Sequence, residues 1–230
     1  MPSYTLDYFD CRALGDPIRM IFHHAGVEFV DNQITGDAWP AVKPKTVYGF
    51  LPVLKIDNAE YGESTAILRY LGEKFNLAGE TLEDKLHMDS VIDATKDIMS
   101  GLLKPSYPPG MDDAKRYNEA LNVSALNAVV FPTGSLQKEY FAQKKAEFPE
   151  TFRFIEKQLG RCAGDYITGS KLTWADFSMY GVWNVCVHFM GPEVFDATPN
   201  IKKHYTTMHS LPTMKSFMEK TKNVPTYPWN

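Results

Sequence analysis

Two polar groups in the first third of the chain could do chemistry at the edge of an α/β sheet. Tyr8 ends the first predicted strand, just upstream of a predicted helix start at Asp16, and open α/β sheets bind ligands outside the carboxyl ends of their strands. Glu63 and Ser64 open a later predicted helix. Its N-terminus, carboxylate and hydroxyl together suit a ligand that carries both an amine and a carboxylate. Taken singly, these residues also fit a core tyrosine and simple helix capping.

Cys11, three residues after Tyr8, could be a redox thiol, because a helix N-terminus lowers the pKa of a nearby thiol. The alternative is an inert loop cysteine, since the other two cysteines, Cys162 and Cys186, are far away in the sequence. Three distant cysteines without a Cys-x-x-Cys pair indicate neither a disulfide framework nor a zinc knuckle, and they fit a reducing compartment.

Composition and spacing disfavour several function classes. The six histidines lack metal-ligand spacing with a carboxylate, so we expect no metal site. A phosphate-cradling glycine-rich loop and a G-x-S-x-G elbow are also missing. The balance of 24 Lys and Arg against 28 Asp and Glu gives a net charge of −4, which disfavours nucleic-acid or membrane binding. Without a long apolar run or a secretory signal at the start, the sequence predicts a cytoplasmic protein.

The elements that would position Tyr8 form a β-α-β opening. Alternation over residues 4–9 predicts a strand, and Asp16 as N-cap predicts a helix over 17–25 that Gly26 ends. Residues 27–34 are apolar and branched enough for a second strand, for which parallel pairing with the first is the default.

A long loop and a further strand and helix complete this first part. Residues 36–49 contain Trp39 but no periodicity, and loops of that length are usually functional. Residues 50–58 read as a strand ending in a turn, and a helix follows over 64–75. Pro52 cannot donate a ladder hydrogen bond, so it belongs at a strand's first position or an edge, where a cis peptide bond is an option. The backbone before it would be left to pair with an extended ligand.

Beyond residue 80 the periodicity is helical. Thr173 and Asp176 have the spacing of a capping box ahead of a nearly all-apolar helix over 177–190, which indicates a helix buried inside a bundle. Other predicted helices cover 86–103, 112–130 and 136–159, the last with an interruption at Pro149. We therefore divide the chain into an α/β domain over 1–79, a linker over 80–84, an all-α domain over 85–222 and a tail over 223–230.

The combined motifs resemble cytosolic glutathione transferases, and among these the sigma class. The segments that carry the resemblance are Tyr8, Ala38-Trp39-Pro40 with Lys43, Gly49-Phe50-Leu51-Pro52-Val53-Leu54, Glu63-Ser64 and the seven residues after them, and Leu172-Thr173-Trp174-Ala175-Asp176. The similarity covers nearly the whole chain and is weakest over 104–147. It implies a thioredoxin-like α/β domain followed by an all-α helical-bundle domain, a homodimer, and glutathione as co-substrate.

The resemblance implies roles for residues around the first strand and Pro52. The hydroxyl of Tyr8 would hydrogen-bond the glutathione thiolate, which makes Tyr8 the expected catalytic residue. Leu51, before a cis Pro52, would pair through its backbone with the cysteinyl part of the peptide, as an added strand does. Gly49 and Phe50 would flank that contact.

The resemblance likewise implies residues for both ends of the tripeptide. Glu63 and Ser64 would hold the γ-glutamyl end, with Ser64 and its helix N-terminus taking the carboxylate. Trp39 and Lys43 would bind the glycine end. Asp97 would reach the γ-glutamyl amine of the neighbouring protomer across the dimer.

A hydrophobic pocket for the second substrate is expected along Phe9, Cys11, Ala13 and Leu14, with residues around 104–107 as a further wall. Leu14 stands where sigma enzymes usually carry an arginine, so a cation is missing from this pocket unless Arg12 swings in.

Three functions follow from these observations. The first is a glutathione transferase that conjugates hydrophobic electrophiles. The second is a non-catalytic ligand-binding or structural relative, because of the missing arginine. The third is a glutathione-dependent isomerase of the prostaglandin D synthase kind, or a thiol transferase acting through Cys11.

Overall fold

The structure is a computed structural model that describes residues 2–102 and 135–225, and the side chains of 2–96 and 141–225. Its first part is a mixed four-stranded sheet with the strand order β2-β1-β3-β4. The strands are β1 (Tyr4–Phe9), β2 (Val30–Ile34), β3 (Val53–Ile56) and β4 (Ala59–Tyr61). Strand β1 pairs in parallel with β2, as predicted, and antiparallel with β3.

Helix α1 (Asp16–Ala25) connects the two parallel strands, and Gly26 ends it with φ 66°, as the sequence predicts. The prediction of Asp16 as N-cap is wrong. Gly15 is the N-cap, and Asp16 is a buried residue of the first turn that pairs with two arginines. Strand β2 begins at Val30 instead of residue 27, because Phe29 stacks on Phe22 of α1 while the chain returns to the sheet.

The segment predicted as a long loop contains a short helix, α2 (Trp39–Val42), and a 3-10 turn over Lys43–Lys45. Backbone hydrogen bonds from Trp39 to Thr35 and from Thr46 to Lys43 form these turns. Elements of three or four residues are too short to show a hydrophobic periodicity in the sequence. The Leu51-Pro52 peptide bond is cis, and β3 starts immediately after it. Helix α3 (Ser64–Lys74) follows β4.

Helix α4 (Leu82–Leu102) begins four residues before its predicted start at Leu86. The reason is a capping pair missed in the sequence: Asp84 donates its N–H to Thr81 Oγ1 at 3.0 Å, and Thr81 donates its N–H to Asp84 Oδ2 at 3.0 Å. The helix predicted over 112–130 lies outside the described residues.

The helix predicted over 136–159 is two helices, α5 (Ser135–Thr151) and α6 (Arg153–Arg161). The interruption falls at Phe152, while Pro149 remains inside α5. Phe152 is buried and its ring stacks on Phe148, with 4.2 Å between centroids. The helix breaks at Phe152 because its φ of −96° and ψ of 9° depart from helical values.

Helix α7 (Trp174–Met190) is the buried helix that the sequence predicts. Its capping box is present: Thr173 donates its N–H to Asp176 Oδ2 at 2.8 Å. Helix α7 packs against α1, α3 and α4, so one apolar core runs through both parts of the chain. Helices α8 (Pro199–Ser210) and α9 (Pro212–Lys220) complete the second part. The α/β part followed by a helical part confirms the predicted fold class.

Candidate active site

The predicted ligand-binding residues gather at one edge of the sheet, which we call the ligand edge. It consists of the end of β1, the start of β3 and the end of β4. Register places these together, because Asp7 pairs with Val53 and Leu54 pairs with Tyr61. The chain then reaches Glu63 and Ser64 at the start of α3.

Tyr8 lies at the ligand edge with only 5% of its surface exposed. Its hydroxyl oxygen accepts the backbone N–H of Leu14 at 3.1 Å. Its ring meets Phe9 edge-on at 5.7 Å between centroids, and the guanidinium of Arg19 lies 5.6 Å from its ring centroid. A phenol oxygen that accepts one hydrogen bond can still donate its own proton, so this arrangement is compatible with Tyr8 acting as a donor.

Arg19 is a site residue that the sequence reasoning missed. It donates from Nη1 to the carbonyl of Cys11 at 2.6 Å and from Nη2 to the carbonyl of Phe9 at 3.2 Å, and from Nε to Asp31 at 3.0 Å. It thereby holds the backbone directly after Tyr8. The available signal was a charged residue set between the apolar residues 17–18 and 20–22 of α1.

Asp16 completes this buried network beside Arg12 and Arg19, at 3.4 and 3.5 Å. Burial raises the pKa of Asp16 to about 6, although both arginines act to lower it. Asp31 on β2 adds to the increase.

Cys11 is 1% exposed, and burial raises the pKa of its thiol to about 12 despite the nearby Arg19. A thiol in this environment is a poor nucleophile at neutral pH. The structure thus supports the inert cysteine and contradicts the redox thiol. It also removes Cys11 as an open wall of the hydrophobic pocket. Among the other predicted wall residues, Phe9 and Ala13 are half-buried, and Leu14 is 55% exposed.

Arg12 does not compensate for Leu14, contrary to the option considered from the sequence. Its guanidinium donates to the carbonyls of Thr221 at 2.7 Å and Val224 at 3.3 Å, beyond the last helix. The cation is therefore engaged with the C-terminal part of the chain.

Trp39 lies beside the same edge, with its ring 5.4 Å from that of Phe9. It is only 2% exposed, and its indole N–H has no hydrogen-bond partner among the described residues. Buried donors are nearly always paired, so this N–H favours a ligand that brings an acceptor. Lys43, half-buried, follows α2 directly.

The predicted peptide-pairing segment lies just beyond the last ladder pair of β3. Gly49 has φ 69°, Phe50 is exposed, Leu51 is half-buried and Pro52 is buried. An extended peptide could add to the sheet at this position through backbone hydrogen bonds.

Glu63 and Ser64 occupy the turn between β4 and α3. Glu63 has φ 64° and ψ 101°, a conformation that a non-glycine residue rarely adopts and that is typical of functional sites. Its exposed carboxylate and the half-buried Ser64 stand at a helix N-terminus, where anions are stabilised. Asp97 belongs to α4, but its side chain lies outside the described residues.

Metal chemistry has no support in the described part of the chain, where no group of three His, Cys, Asp or Glu side chains could hold an ion. Across residues 2–102 and 135–225, each helix is too short or too polar to cross a membrane.

The fold and the ligand edge agree with comparisons to known proteins. Residues 16–80 match the glutathione S-transferase N-terminal domain, and residues 126–221 match the C-terminal domain. Glutathione S-transferase 1 of Ascaris suum is 32% identical over 228 residues, which is 98% of this chain and 100% of that protein. The chain therefore belongs to the glutathione S-transferase family and is an enzyme of that kind.

Two further relatives differ in the activity or class that their names state. The structure of a Pi-class glutathione S-transferase of Onchocerca volvulus superposes with a TM-score of 0.79 at 25% identity, covering 98% of this chain and 97% of that one. The hematopoietic prostaglandin D synthase of Homo sapiens is 25% identical over 225 residues, covering 96% of this chain and 97% of that protein.

Glutathione is the co-substrate of the glutathione S-transferase family to which this chain belongs.

Proposed function

We propose that Tyr8 is the catalytic residue of this glutathione S-transferase and that its hydroxyl donates a hydrogen bond to the glutathione thiolate. The observation that carries the proposal is the hydrogen bond from the Leu14 N–H to the Tyr8 oxygen at 3.1 Å, at the ligand edge. This bond occupies one acceptor position of the phenol and does not prevent it from donating its own proton, for which the thiolate would be the acceptor.

The stabilisation required of Tyr8 is modest. A free thiol with a pKa of ~8.5 is only about 7% ionised near pH 7.4. Lowering its pKa by ~2 units requires ~2.7 kcal/mol, and one hydrogen bond to a charged group supplies ~1.5–3 kcal/mol. The thiolate fraction rises about twelvefold, but a Brønsted slope of ~0.45 costs roughly eightfold in nucleophilicity. Most of the acceleration must therefore come from holding thiolate and electrophile together.

The peptide would lie along the ligand edge in the orientation that the resemblance implies. The unpartnered N–H of Trp39 supports a carboxylate at the glycine end, beside Lys43. The strained Glu63 and the helix N-terminus at Ser64 support the γ-glutamyl end, and Leu51 supports the cysteinyl backbone.

The reaction transfers the glutathione sulfur to a hydrophobic electrophile. The thiol loses its proton to solvent, and the thiolate forms a carbon–sulfur bond with its own electron pair. In a substitution the leaving group departs with the bonding pair, and in an addition the product takes up a proton. Exposed Leu14 and half-buried Phe9 and Ala13 are the described side chains that would face the electrophile.

The test is Tyr8→Phe in a conjugation assay with a halogenated aromatic substrate. Loss of the hydrogen bond predicts an increase of about 2 units in the pKa of the bound thiol. At pH 6.5 the thiolate fraction should then fall about fiftyfold while the more basic sulfur regains about eightfold in nucleophilicity, so kcat/KM should fall about sixfold. Tyr70→Phe is the matched control, because Tyr70 is an exposed tyrosine on α3 whose hydroxyl interacts with Tyr4 at the start of β1, at the end of that strand opposite to the ligand edge. Full turnover by Tyr8→Phe would overturn the assigned role.

A glutathione-dependent isomerase is the second candidate, favoured by the similarity to the prostaglandin D synthase. Incubation with the endoperoxide precursor of prostaglandin D would distinguish it, since the isomerase regenerates glutathione while a transferase consumes it. The full-length similarity to a protein named as a glutathione S-transferase disfavours a non-catalytic relative. The burial of Cys11 disfavours a thiol transferase that uses that residue.

We also propose a sigma-class, cytoplasmic homodimer. A second copy would cover apolar side chains that stand exposed near the ligand edge and on α4, namely Tyr48, Phe50, Tyr61, Leu82 and Leu86. Asp97, also on α4, would then reach the peptide of the partner protomer. Sedimentation equilibrium should give twice the chain mass, and a monomer at micromolar concentration would contradict the dimer.

A further inference from the structure

We infer that Arg12 is a positioning residue that ties the C-terminal residues 221–225 to the loop holding the Tyr8 hydroxyl, and thereby sets the acidity of the bound glutathione thiol. The inference rests on the proposed role of Tyr8. Arg12 lies four residues after Tyr8 in the sequence, and its guanidinium donates to backbone carbonyls near the C-terminus.

Arg12 holds three carbonyl groups of the C-terminal segment at once. Its backbone N–H donates to the carbonyl of Pro225 at 2.8 Å, Nη2 donates to that of Thr221 at 2.7 Å, and Nε donates to that of Val224 at 3.3 Å. Its side chain is only 11% exposed. Carbonyls just past a helix end lack intrahelical partners, and the planar guanidinium can satisfy several of them together.

Arg12 also closes the turn that carries the donor to Tyr8. Its carbonyl accepts the N–H groups of Gly15 at 3.1 Å and Asp16 at 3.0 Å. Inside this turn, between Arg12 and Gly15, Ala13 has φ 34°, a left-handed conformation that persists only where the surroundings hold it. Leu14, the next residue, donates its N–H to the Tyr8 hydroxyl.

The consequence is a direct mechanical link between the C-terminal segment and Tyr8. If Arg12 lost its carbonyl partners, the strained turn would relax and the Leu14 N–H would leave the phenol oxygen. Hydrogen bonds in a chain polarise one another, so a phenol that accepts from Leu14 is a stronger donor to a thiolate. In this chain the backbone of Leu14, and not an arginine side chain at that position, would therefore assist the tyrosine.

The experiment measures the pKa of the bound glutathione thiol from the ultraviolet absorption of the thiolate, on complexes saturated with glutathione. The variants are Arg12→Gln, Arg12→Lys and a chain that ends at Lys220. Two controls leave the link intact: a chain that ends at Pro225, and Arg153→Gln, which removes an arginine that pairs with Glu150 at the surface.

We expect Arg12→Gln and the chain ending at Lys220 each to raise the thiol pKa by about half a unit or more, or roughly a threefold change in the ionisation constant. Combining them should add nothing to the effect of Arg12→Gln alone, because that substitution already breaks the link that the truncation breaks. It also removes the 3.4 Å pair between Arg12 and Asp16, so its own effect should be the larger of the two. Arg12→Lys keeps the charge but not the fork of donors, so it should fall between the wild type and Arg12→Gln. The affinity for glutathione should change less than the thiol pKa.

An unchanged thiol pKa in folded Arg12→Gln and in the chain ending at Lys220 would overturn the inference. An equal shift in either control would also overturn it, since the effect would then be global. If Arg12→Gln does not fold, the two truncated chains decide the question. A wild-type protein that binds glutathione without ionising its thiol would instead refute the proposed role of Tyr8, which keeps the two failures distinguishable.

Discussion

A side chain at Gly15 would collide with Tyr8, because a Cβ atom there would lie 2.4 Å from Cδ1 of the tyrosine. The same atom would lie 2.8 Å from Nη1 of Arg19. The ring of the proposed catalytic residue is thus packed directly on the backbone that begins α1, and this contact determines where the phenol points.

Gly15→Ala should therefore impair both folding and catalysis. Overpacking a tight contact costs about 1–3 kcal/mol, so we expect the free energy of unfolding in urea to fall by that amount. We also expect kcat/KM to fall, because the Tyr8 ring must move. Gly160→Ala is the control: its Cβ would meet only the end of the Asn200 side chain, in a helix where alanine is favourable. Wild-type turnover by Gly15→Ala would show that the contact does not orient Tyr8.

Trp39→Phe should weaken glutathione binding more than it weakens folding. The substitution removes a buried N–H that the described structure leaves without a partner, whereas a ligand carboxylate would accept from it. Loss of a hydrogen bond to a charged group predicts an increase of roughly tenfold in KM for glutathione with little change in kcat. Trp183→Phe is the contrasting variant, since its indole N–H donates to His204 Nδ1 at 3.2 Å in the core. That variant should lose stability and keep its KM, and an unchanged KM in Trp39→Phe would contradict the assignment.

Asp16→Asn should change how stability depends on pH. The pKa of Asp16 is about 6 in the folded protein, against an ordinary value of 3.8. Between these values the folded chain holds a proton that the unfolded chain has lost, so the contribution of Asp16 to stability is present below pH 4 and is lost as the pH rises to 6. Asparagine stays neutral and removes this slope.

Urea unfolding at pH 4 and pH 7 measures the effect. The stability of Asp16→Asn relative to the wild type should be more favourable at pH 7, by about 2–3 kcal/mol. Asp196→Asn, at an exposed aspartate paired with Lys202, should show no such difference. A relative stability of Asp16→Asn that does not vary with pH would mean that Arg12 and Arg19 keep Asp16 ionised throughout.

Thr173→Ala should destabilise the fold and leave the kinetics of the folded enzyme unchanged. The hydroxyl of Thr173 bonds Asp176 Oδ2 at 2.7 Å, and Asp176 also accepts the N–H of Ile167 at 2.9 Å in a fully buried position. Loss of the cap and of one partner of a buried carboxylate predicts about 2–3 kcal/mol by thermal or urea unfolding. Thr206→Ala, at an exposed threonine of α8, should change stability by less than about 0.5 kcal/mol. Equal effects of the two substitutions would argue against the capping box as a stabilising feature.

Local patterns predicted most elements correctly. The β-α-β opening, the end of α1 at Gly26 and the box of Thr173 and Asp176 were all confirmed, and the cis bond at Pro52, which the resemblance implied, is present. These features depend on residues within a few positions of one another, so a short window of sequence contains their causes. The local pattern gave a wrong prediction at Asp16. Its side chain does not cap α1 but is buried between Arg12 and Arg19.

Contacts between distant parts of the chain explain what was missed. The helix breaks at buried Phe152 and not at Pro149, and Cys11 is inert because the fold encloses it. The sequence alone was enough to name the candidate residues at the ligand edge, and their proposed roles remain predictions.

The sequence by itself determined the family, the order of elements and the candidate ligand-binding residues, because motif spacing and hydrophobic periodicity are local properties. Only the tertiary structure decided which groups hold Tyr8: Leu14 and Arg19 around the phenol, and Arg12 reaching Thr221, 209 positions along the chain. The sequence cannot reveal the hydrogen bond between Arg12 and Thr221, because its acceptor is a backbone carbonyl and every residue type has one.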